Sequence, residues 1–287
     1  MTGVLTPFGV RLQEANAALG PLCVGIDPHP GLLREWGLPV SVTGLDRFAR
    51  ICVEAFGGQV AVVKPQSAFF EAFGSAGVAV LEQTLAALRA AGTLSLLDVK
   101  RGDIGSTMAA YATAYLSEDS PLRADAITVS PYLGVGSLDP AFELAAATGR
   151  GVFVLALTSN PEGAAVQHAR TTSGTVAGDV VAGVRARNGE ALAQGVLGSV
   201  GTVVGATVGG AVRDLGLDLA GAGGPILAPG LGAQGGTVTG IRETFGPAAP
   251  MVLGSVSREV LSAGPDVNRL QERAAALALS LRSMSDA

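Results

Sequence analysis

Apolar positions along the chain follow two alternating patterns. Short, mostly apolar runs typical of buried strands recur eight times, separated by longer segments with the periodicity of amphipathic helices. Strands are predicted at 22–26, 60–63, 94–100, 126–129, 152–157, about 200–206, 225–228 and 251–253. Helices are predicted at 7–19, 43–56, 75–90, 138–147, 177–194 and 266–282, and a further helical pattern opens at 105. The segment 162–176 is rich in small and polar residues and is predicted to be a loop.

This alternation predicts the fold. Strands that alternate with helices pair in parallel through right-handed crossovers, and eight such units close into a (β/α)8 TIM barrel. We therefore expect an α/β fold with a single domain over 1–287, an N-terminal lead-in helix and a C-terminal helix. An open doubly wound sheet is the main alternative, but the Gly-x-Gly-x-x-Gly fingerprint that follows its first strand is absent here.

Composition restricts the class of protein. Of the 287 residues, 48% are apolar and 15% are charged, which supplies a large core. The net charge of −5 and the absence of basic clusters argue against nucleic acid as a partner. The first residues lack the features of a signal peptide. The uncharged stretch 191–212 is long enough to span a bilayer, but its glycines, polar residues and fit to the strand–helix repeat predict no membrane span.

The two cysteines and two histidines limit which disulfides and metal sites the chain can form. Cys23 and Cys52 lie in apolar contexts and are interpreted as buried thiols in a reducing, cytoplasmic compartment. One disulfide between them is the alternative. His29 and His168 are the only histidines in the sequence, which disfavours a histidine-rich metal site.

The third predicted strand carries charges inside an apolar run. Asp98 and Lys100 lie two residues apart, so both side chains point to one face of a strand. A second acid, Asp103, follows the turn signal at 101–102. Buried charges are costly unless they are paired, so the cluster is either a structural ion pair or an active site. The third charge and the helix that starts beside it favour the active site.

Polar residues collect at the C-terminal ends of the predicted strands, the end of a barrel where active sites lie. They are Asp27, Lys64, Asp98, Lys100, Ser130, Ser159, Gln234 and Arg258. The glycine-rich segment 229–236 follows strand seven, where free backbone N–H groups can approach an anion, and Arg258 follows strand eight. Together they predict a phosphate site, and the alternative is a flexible loop with a surface arginine.

The segment Asp98-Val-Lys100-Arg-Gly-Asp103-Ile-Gly-Ser-Thr107 resembles the Asp-x-Lys-x-x-Asp motif of the orotidine 5′-phosphate decarboxylases. Further blocks similar to that family, and to its type-2 bacterial branch in particular, occur in order at 23–28, 64–66, 131–134, 158–161, 229–236 and 257–258. The resemblance implies a TIM barrel that converts orotidine 5′-monophosphate to uridine 5′-monophosphate and CO2 in pyrimidine biosynthesis. The implied reaction needs neither a metal nor a cofactor.

The resemblance also implies catalytic roles. Lys100 would donate a proton to C6 of the pyrimidine, and Asp98 would lie against the departing carboxylate. Lys64 and Asp103 would complete an alternating network of two amines and two carboxylates, whose charges sum to zero and make burial tolerable.

Roles in substrate binding follow from the same resemblance. Asp27 and Lys64 would bind ribose hydroxyls, with a structural ion pair between neighbouring strands as the alternative. Ser159 would bind the amide edge of the pyrimidine, with a simple turn residue as the alternative. Gln234 and Arg258 would bind the phosphate.

The resemblance implies an obligate homodimer with shared active sites, because Asp103 and Thr107 would reach into the neighbouring subunit's site.

Two other functions stay open. The first is a magnesium-dependent phosphosugar decarboxylase or aldolase (a lyase) on the same barrel. Barrels of this kind, the keto-gulonate-phosphate decarboxylases and hexulose-phosphate synthases, carry a similar triplet and have an acidic metal ligand where this chain has Lys64. The other is a non-catalytic nucleotide-binding barrel, against which the intact Asp98, Lys100 and Asp103 count.

Overall fold

Eight parallel strands form a closed barrel in the computed structural model of this chain, which describes residues 6–232 and 235–282. Each strand pairs with its neighbours in chain order, and the last pairs with the first. The predicted closed barrel is therefore confirmed. The strands are β1 (Leu22–Ile26), β2 (Val62–Pro65), β3 (Leu94–Arg101), β4 (Ala126–Val129), β5 (Gly151–Leu157), β6 (Val200–Val204), β7 (Ile226–Pro229) and β8 (Val252–Val256).

Helices alternate with these strands and surround the barrel. Short 3-10 segments lie at Val135–Leu138, Pro161–Gly163 and Gly246–Met251. The α-helices are α1 (Phe8–Leu19), α2 (Pro30–Glu35), α3 (Val42–Phe56), α4 (Ser67–Glu71), α5 (Gly74–Ala90), α6 (Gly105–Leu116), α7 (Asp139–Ala147), α8 (Ala164–Gln167), α9 (Val176–Arg187), α10 (Gly189–Ala193), α11 (Ala211–Asp214), α12 (Val238–Phe245), α13 (Arg258–Leu261) and α14 (Val267–Arg282).

Two apolar layers stabilise the barrel. The outer layer packs one face of the strands against the helices. At the N-terminal end, the Phe8 ring of α1 stands edge-on to Phe153 with 5.9 Å between centroids, and Arg11 pairs with Asp125 at 2.6 Å. Because α1 covers that end, the opposite end is left open for a site. The inner layer includes one side chain from each strand: Cys23, Val62, Leu96, Ala126, Phe153, Val203, Leu227 and Leu253.

The prediction of one helix over 177–194 is wrong, because the helix breaks at Asn188 into α9 and α10. Asn188 is 2% exposed, and its side-chain amide donates to the carbonyls of Val200 at 2.8 Å and Ala222 at 2.9 Å. Its Oδ1 accepts a hydrogen bond from the Val200 N–H at 3.2 Å. These bonds tie the helix break to the first residue of β6.

Two other predictions need correction. The segment 162–176 is not only loop, since it contains part of a 3-10 turn and the short helix α8. Strand β2 begins and ends two residues later than predicted, so Lys64 lies within the strand and not after it.

The uncharged stretch 191–212 contributes β6. None of the helices in the described residues combines the length and hydropathy that a bilayer span requires.

Candidate active site

The C-terminal ends of the strands surround a cleft of about 770 Å³. Parallel strands in a barrel place all their C-terminal ends on one side, which explains why distant residues meet there. Gln234 lies outside the described residues, and two further predicted residues, Asp103 and Thr107, do not line the cleft. The six predicted residues that do line it are Asp27, Lys64, Asp98, Lys100, Ser159 and Arg258.

Asp98 is the centre of a compact ionic cluster. Its two carboxylate oxygens each lie 2.7 Å from Lys100 Nζ, and Oδ2 lies 3.3 Å from Lys64 Nζ. Thr128 donates a hydrogen bond from Oγ1 to Asp98 Oδ1 at 2.6 Å. Lys64 Nζ also donates to Gln66 Oε1 at 3.1 Å. Two ammonium groups therefore share one carboxylate.

Burial and charge act against each other in this cluster. Lys64 is 5% exposed and Asp98 is 7% exposed. Burial disfavours the ionised form of Asp98, but the ammonium groups of Lys64 and Lys100 outweigh it and lower the pKa of Asp98 from 3.8 to about 2. Burial also opposes the charge of Lys64, yet the carboxylates of Asp27 and Asp98 hold the pKa of Lys64 above its usual value. Lys64 and Asp98 are therefore both ionised at neutral pH.

Asp27 brings a second carboxylate to the cleft from the end of β1. Its Oδ1 is buried and has no hydrogen-bond partner, so it is available to a ligand hydroxyl. Gly25 makes room for this group, because a Cβ at position 25 would lie 2.0 Å from Ser257 Oγ and 3.1 Å from Asp27 Oδ1. The carboxylates of Asp27 and Asp98 balance the two ammonium groups in the cleft.

The segment 162–176 holds the end of β5. Gln167, the last residue of α8, accepts a hydrogen bond from the Thr158 N–H at 2.8 Å and donates from Nε2 to Thr158 Oγ1 at 2.7 Å. Thr158 Oγ1 in turn donates to Asn160 Oδ1 at 2.6 Å. Thr158, Ser159 and Asn160 all line the cleft. Gln167 therefore fixes the wall to which Ser159 belongs.

Arg258 and a glycine-rich loop meet at the other side of the cleft. Arg258 begins α13 directly after β8, and Gly230 follows β7 with a φ of +105°, which glycine adopts readily. Both residues line the cleft. Trp36 donates from Nε1 to the Leu261 carbonyl at 3.0 Å, which ties α13 to the segment after α2. The N–H groups of Gly232, Gly235 and Gly236 donate to carbonyls within the loop, so the predicted row of free N–H groups is not seen there. The Arg258 guanidinium can still bind a phosphate through two parallel hydrogen bonds.

Asp103 and Thr107 lie on the surface beside exposed apolar side chains. Asp103 is half-buried, and its Oδ1 accepts a hydrogen bond from the Ile104 N–H at 2.8 Å. Thr107 is exposed on α6. Ile104 is 62% exposed, and the loop after the neighbouring strand β4 exposes Tyr132 by 79% and Leu133 by 52%. A single chain therefore does not bring Asp103 or Thr107 to its own cleft.

Sequence reasoning does not find several residues of the site. Thr128 has no motif of its own, although it lies two positions after the inward-facing Ala126, and strand alternation is the signal that points to it. Leu155 and Val203 give the cleft an apolar wall and have the appearance of ordinary core residues in the sequence.

Within residues 6–232 and 235–282, no group of three or more His, Cys, Asp or Glu side chains is placed to hold a metal ion. At the end of β2, where related barrels carry an acidic ligand, this chain has Lys64 paired with Asp98.

Comparison with known proteins agrees with this geometry. The model of the orotidine 5′-phosphate decarboxylase / HUMPS family matches residues 20–272. The chain belongs to this family. Orotidine 5′-phosphate decarboxylase of Salinispora arenicola is 65% identical over 268 residues, which cover 93% of this chain and 94% of the relative. The decarboxylase of Streptomyces coelicolor is 55% identical over 281 residues, which cover 97% of this chain and 98% of the relative.

Solved structures of similar proteins have the same fold. A Streptomyces avermitilis protein assigned as such a decarboxylase superposes with a TM-score of 0.94 at 56% identity, covering 99% of this chain and 97% of that chain. Leishmania donovani UMP synthase superposes with a TM-score of 0.78 at 30% identity, covering 98% of this chain and 57% of that chain. These likenesses confirm the predicted fold and the predicted family.

Proposed function

We propose that this member of the family decarboxylates orotidine 5′-monophosphate to uridine 5′-monophosphate and CO2 in pyrimidine biosynthesis. The observation that carries the proposal is the cluster in which Lys64 and Lys100 share the carboxylate of Asp98 at the open end of the barrel. Relatives that cover almost the whole chain are named for this activity, which supports it. The proposal treats 1–287 as one catalytic domain.

Lys100 supplies the proton in the proposed mechanism. When the bond between C6 and the carboxylate breaks, the electron pair stays on C6 as an unstabilised carbanion and CO2 leaves. The Lys100 ammonium, held 2.7 Å from both oxygens of Asp98, stabilises that charge and transfers a proton from Nζ to C6. Solvent then returns a proton to Lys100, whose side chain is 46% exposed.

Asp98 orients this ammonium and lies against the carboxylate of the substrate. Because its pKa is lowered to about 2, Asp98 is an anion at neutral pH. Contact between two anions raises the free energy of the bound substrate, and the loss of CO2 relieves that repulsion. Lys64 keeps Asp98 in place, and Asp103 of the partner subunit completes the alternating network of charges.

The remaining predicted site residues bind the parts of the nucleotide that do not react. Asp27, with its unpartnered Oδ1, and Lys64 bind ribose hydroxyls. Ser159 binds the pyrimidine edge, while Arg258 and Gln234 bind the phosphate. Because the phosphate is distant from C6, its binding energy is available to stabilise a closed state around the reacting carbon.

The reaction needs neither a metal nor a cofactor in this proposal. Lys64 supports the absence of a metal. This buried residue presents a positive charge at the position where magnesium-dependent barrels have an acidic metal ligand. A cation at that point repels a second cation. The magnesium-dependent phosphosugar lyase therefore fits the cleft less well.

We further propose a cytoplasmic homodimer with shared active sites. The half-buried Asp103 and the exposed Thr107 lie outside the cleft of their own chain. The neighbouring exposed side chains of Ile104, Tyr132 and Leu133 offer the apolar contact that a two-fold interface requires. The free thiols Cys23 and Cys52, both buried, support a reducing compartment.

The experiment that tests the activity adds purified protein to orotidine 5′-monophosphate. We expect loss of the orotidylate absorbance, with one uridine 5′-monophosphate formed for each nucleotide consumed. Chromatography of the product distinguishes decarboxylation from other reactions. If no uridine 5′-monophosphate forms, while a phosphosugar is cleaved in the presence of Mg²⁺, the lyase is the correct assignment. If neither reacts and the nucleotide still binds, the protein is a binding barrel.

A further inference from the structure

A bulge at the end of β3 gives Lys100 an unusual backbone. Leu97 pairs with Ile127 of β4, but the next paired residues are Arg101 and Val129, so three residues of β3 face one residue of β4. Lys100 lies in this bulge with a φ of +46°. In the part of the chain that the structure describes, it is the one residue other than glycine with a positive φ. This conformation is strained for a side chain with a Cβ.

The residue of β4 opposite the bulge is Thr128, which is 1% exposed. Its hydroxyl donates a hydrogen bond to Asp98 Oδ1 at 2.6 Å and accepts one from the Lys100 N–H at 3.0 Å. A hydroxyl has one hydrogen and two lone pairs, so both bonds form at the same time. One side chain therefore contacts both the carboxylate that orients the Lys100 ammonium and the backbone that carries it.

The two hydrogen bonds have separate effects. A bulge removes residues from the regular ladder of backbone hydrogen bonds, and Thr128 gives the Lys100 N–H a partner there. The bond to Asp98 restricts the rotation of a carboxylate that also contacts Lys64 and Lys100. Without the hydroxyl, both the strained backbone and the carboxylate lose a contact that defines their position.

We propose that Thr128 is a positioning residue for decarboxylation, whose hydroxyl fixes Asp98 and the backbone of Lys100 so that Lys100 Nζ is aimed at C6. The inference rests on the proposed roles of Lys100 and Asp98. A residue that serves only packing needs its methyl group, whereas a positioning residue needs its hydroxyl. Substitutions that remove one or the other therefore separate the two roles.

The test compares Thr128→Val, which keeps the shape but loses both hydrogen bonds, with Thr128→Ser, which keeps the hydroxyl. We expect Thr128→Val to lower kcat on the order of 100-fold, as for a misplacement of about 1 Å, with KM and uridine 5′-monophosphate affinity nearly unchanged. Thr128→Ser should keep most of the activity. Thr84→Val is the matched control, because Thr84 is also buried and donates to the Val80 carbonyl at 2.7 Å, far from the cleft.

The pH profile provides a second measurement. A hydrogen bond to the ionised form of Asp98 favours that form, so loss of the Thr128 hydroxyl raises the pKa of Asp98. The acidic limb of the kcat profile should therefore move to higher pH in Thr128→Val and stay in place in Thr128→Ser and Thr84→Val.

Several outcomes overturn the proposal. One is a Thr128→Val variant that keeps the full wild-type kcat. Another is a Thr128→Ser variant that loses as much kcat as Thr128→Val, which would assign Thr128 to packing. If Thr128→Val does not fold, as judged by circular dichroism, Thr128→Ala takes its place in the comparison. Wild-type protein is assayed in parallel, and its failure to form uridine 5′-monophosphate would refute the proposed function and this inference together. Wild-type turnover with an unaffected Thr128→Val refutes only the role of Thr128.

Discussion

Two inactive variants should restore activity to each other when their subunits are mixed. Lys100→Ala removes the amine that lies inside the cleft, 2.7 Å from Asp98. Asp103→Ala removes a carboxylate that lies outside the cleft of its own chain. If Asp103 acts in the partner's site, each variant dimer has two defective sites, and both parents are nearly inactive.

The size of the recovery follows from where the two residues lie. In a mixed dimer, one site collects both substitutions and the other site collects neither. Random pairing of equal amounts makes about half of the dimers mixed, so about a quarter of all sites are intact. We therefore expect about a quarter of the wild-type activity per subunit.

The assay is turnover of orotidine 5′-monophosphate after equal amounts of the two variants are refolded together. Subunit exchange is verified independently, for example by mass spectrometry of dimers carrying one tagged chain. The matched control mixes Lys100→Ala with Asp98→Ala. Both of these substitutions fall in the cleft of their own chain, so no mixed dimer gains an intact site. A mixture of Lys100→Ala and Asp103→Ala that stays inactive despite exchange would show that Asp103 acts within its own chain.

Three further perturbations test other parts of the account. Arg258→Ala should lower kcat/KM steeply for the nucleotide but hardly for a truncated substrate without phosphate, and equal losses would make Arg258 structural. Exhaustive chelation of metal ions should leave turnover unchanged, because Lys64 occupies the position of the acidic metal ligand of magnesium-dependent barrels. A loss of turnover that Mg²⁺ restores would contradict this. Asn188→Ala should lower the free energy of unfolding, measured in urea, by about 3 kcal/mol. The reason is that three buried backbone groups, the N–H and carbonyl of Val200 and the carbonyl of Ala222, lose their hydrogen-bond partner. The exposed Gln194→Ala should change it by less than about 0.5 kcal/mol, and equal changes would refute the role of Asn188.

The barrel is predictable from sequence because each strand is a short apolar run and each helix has its own periodicity. These signals are local, and they need no knowledge of the neighbouring elements. The break at Asn188 is not predictable in this way, because its partners Val200 and Ala222 are distant in sequence. The same applies to α8, whose Gln167 returns to Thr158 at the end of β5.

Much of the site is predictable for a different reason. Charged residues such as Asp98 and Lys100 inside an apolar run require partners, and a barrel brings the ends of its strands together. Lys64 is found by this reasoning. Thr128 is not, because the bulge that places it opposite Lys100 depends on the register between β3 and β4. A partner subunit's contribution is equally beyond the pattern of one chain.

The most direct test of the central claim is single-turnover decarboxylation by Lys100→Ala, measured beside its affinity for uridine 5′-monophosphate. Lys100 acts on C6, whereas affinity comes mostly from contacts to the phosphate and ribose. The account predicts that decarboxylation of orotidine 5′-monophosphate is abolished while product binding stays largely intact. Near-wild-type formation of uridine 5′-monophosphate by a Lys100→Ala dimer would contradict it and remove Lys100 from the mechanism.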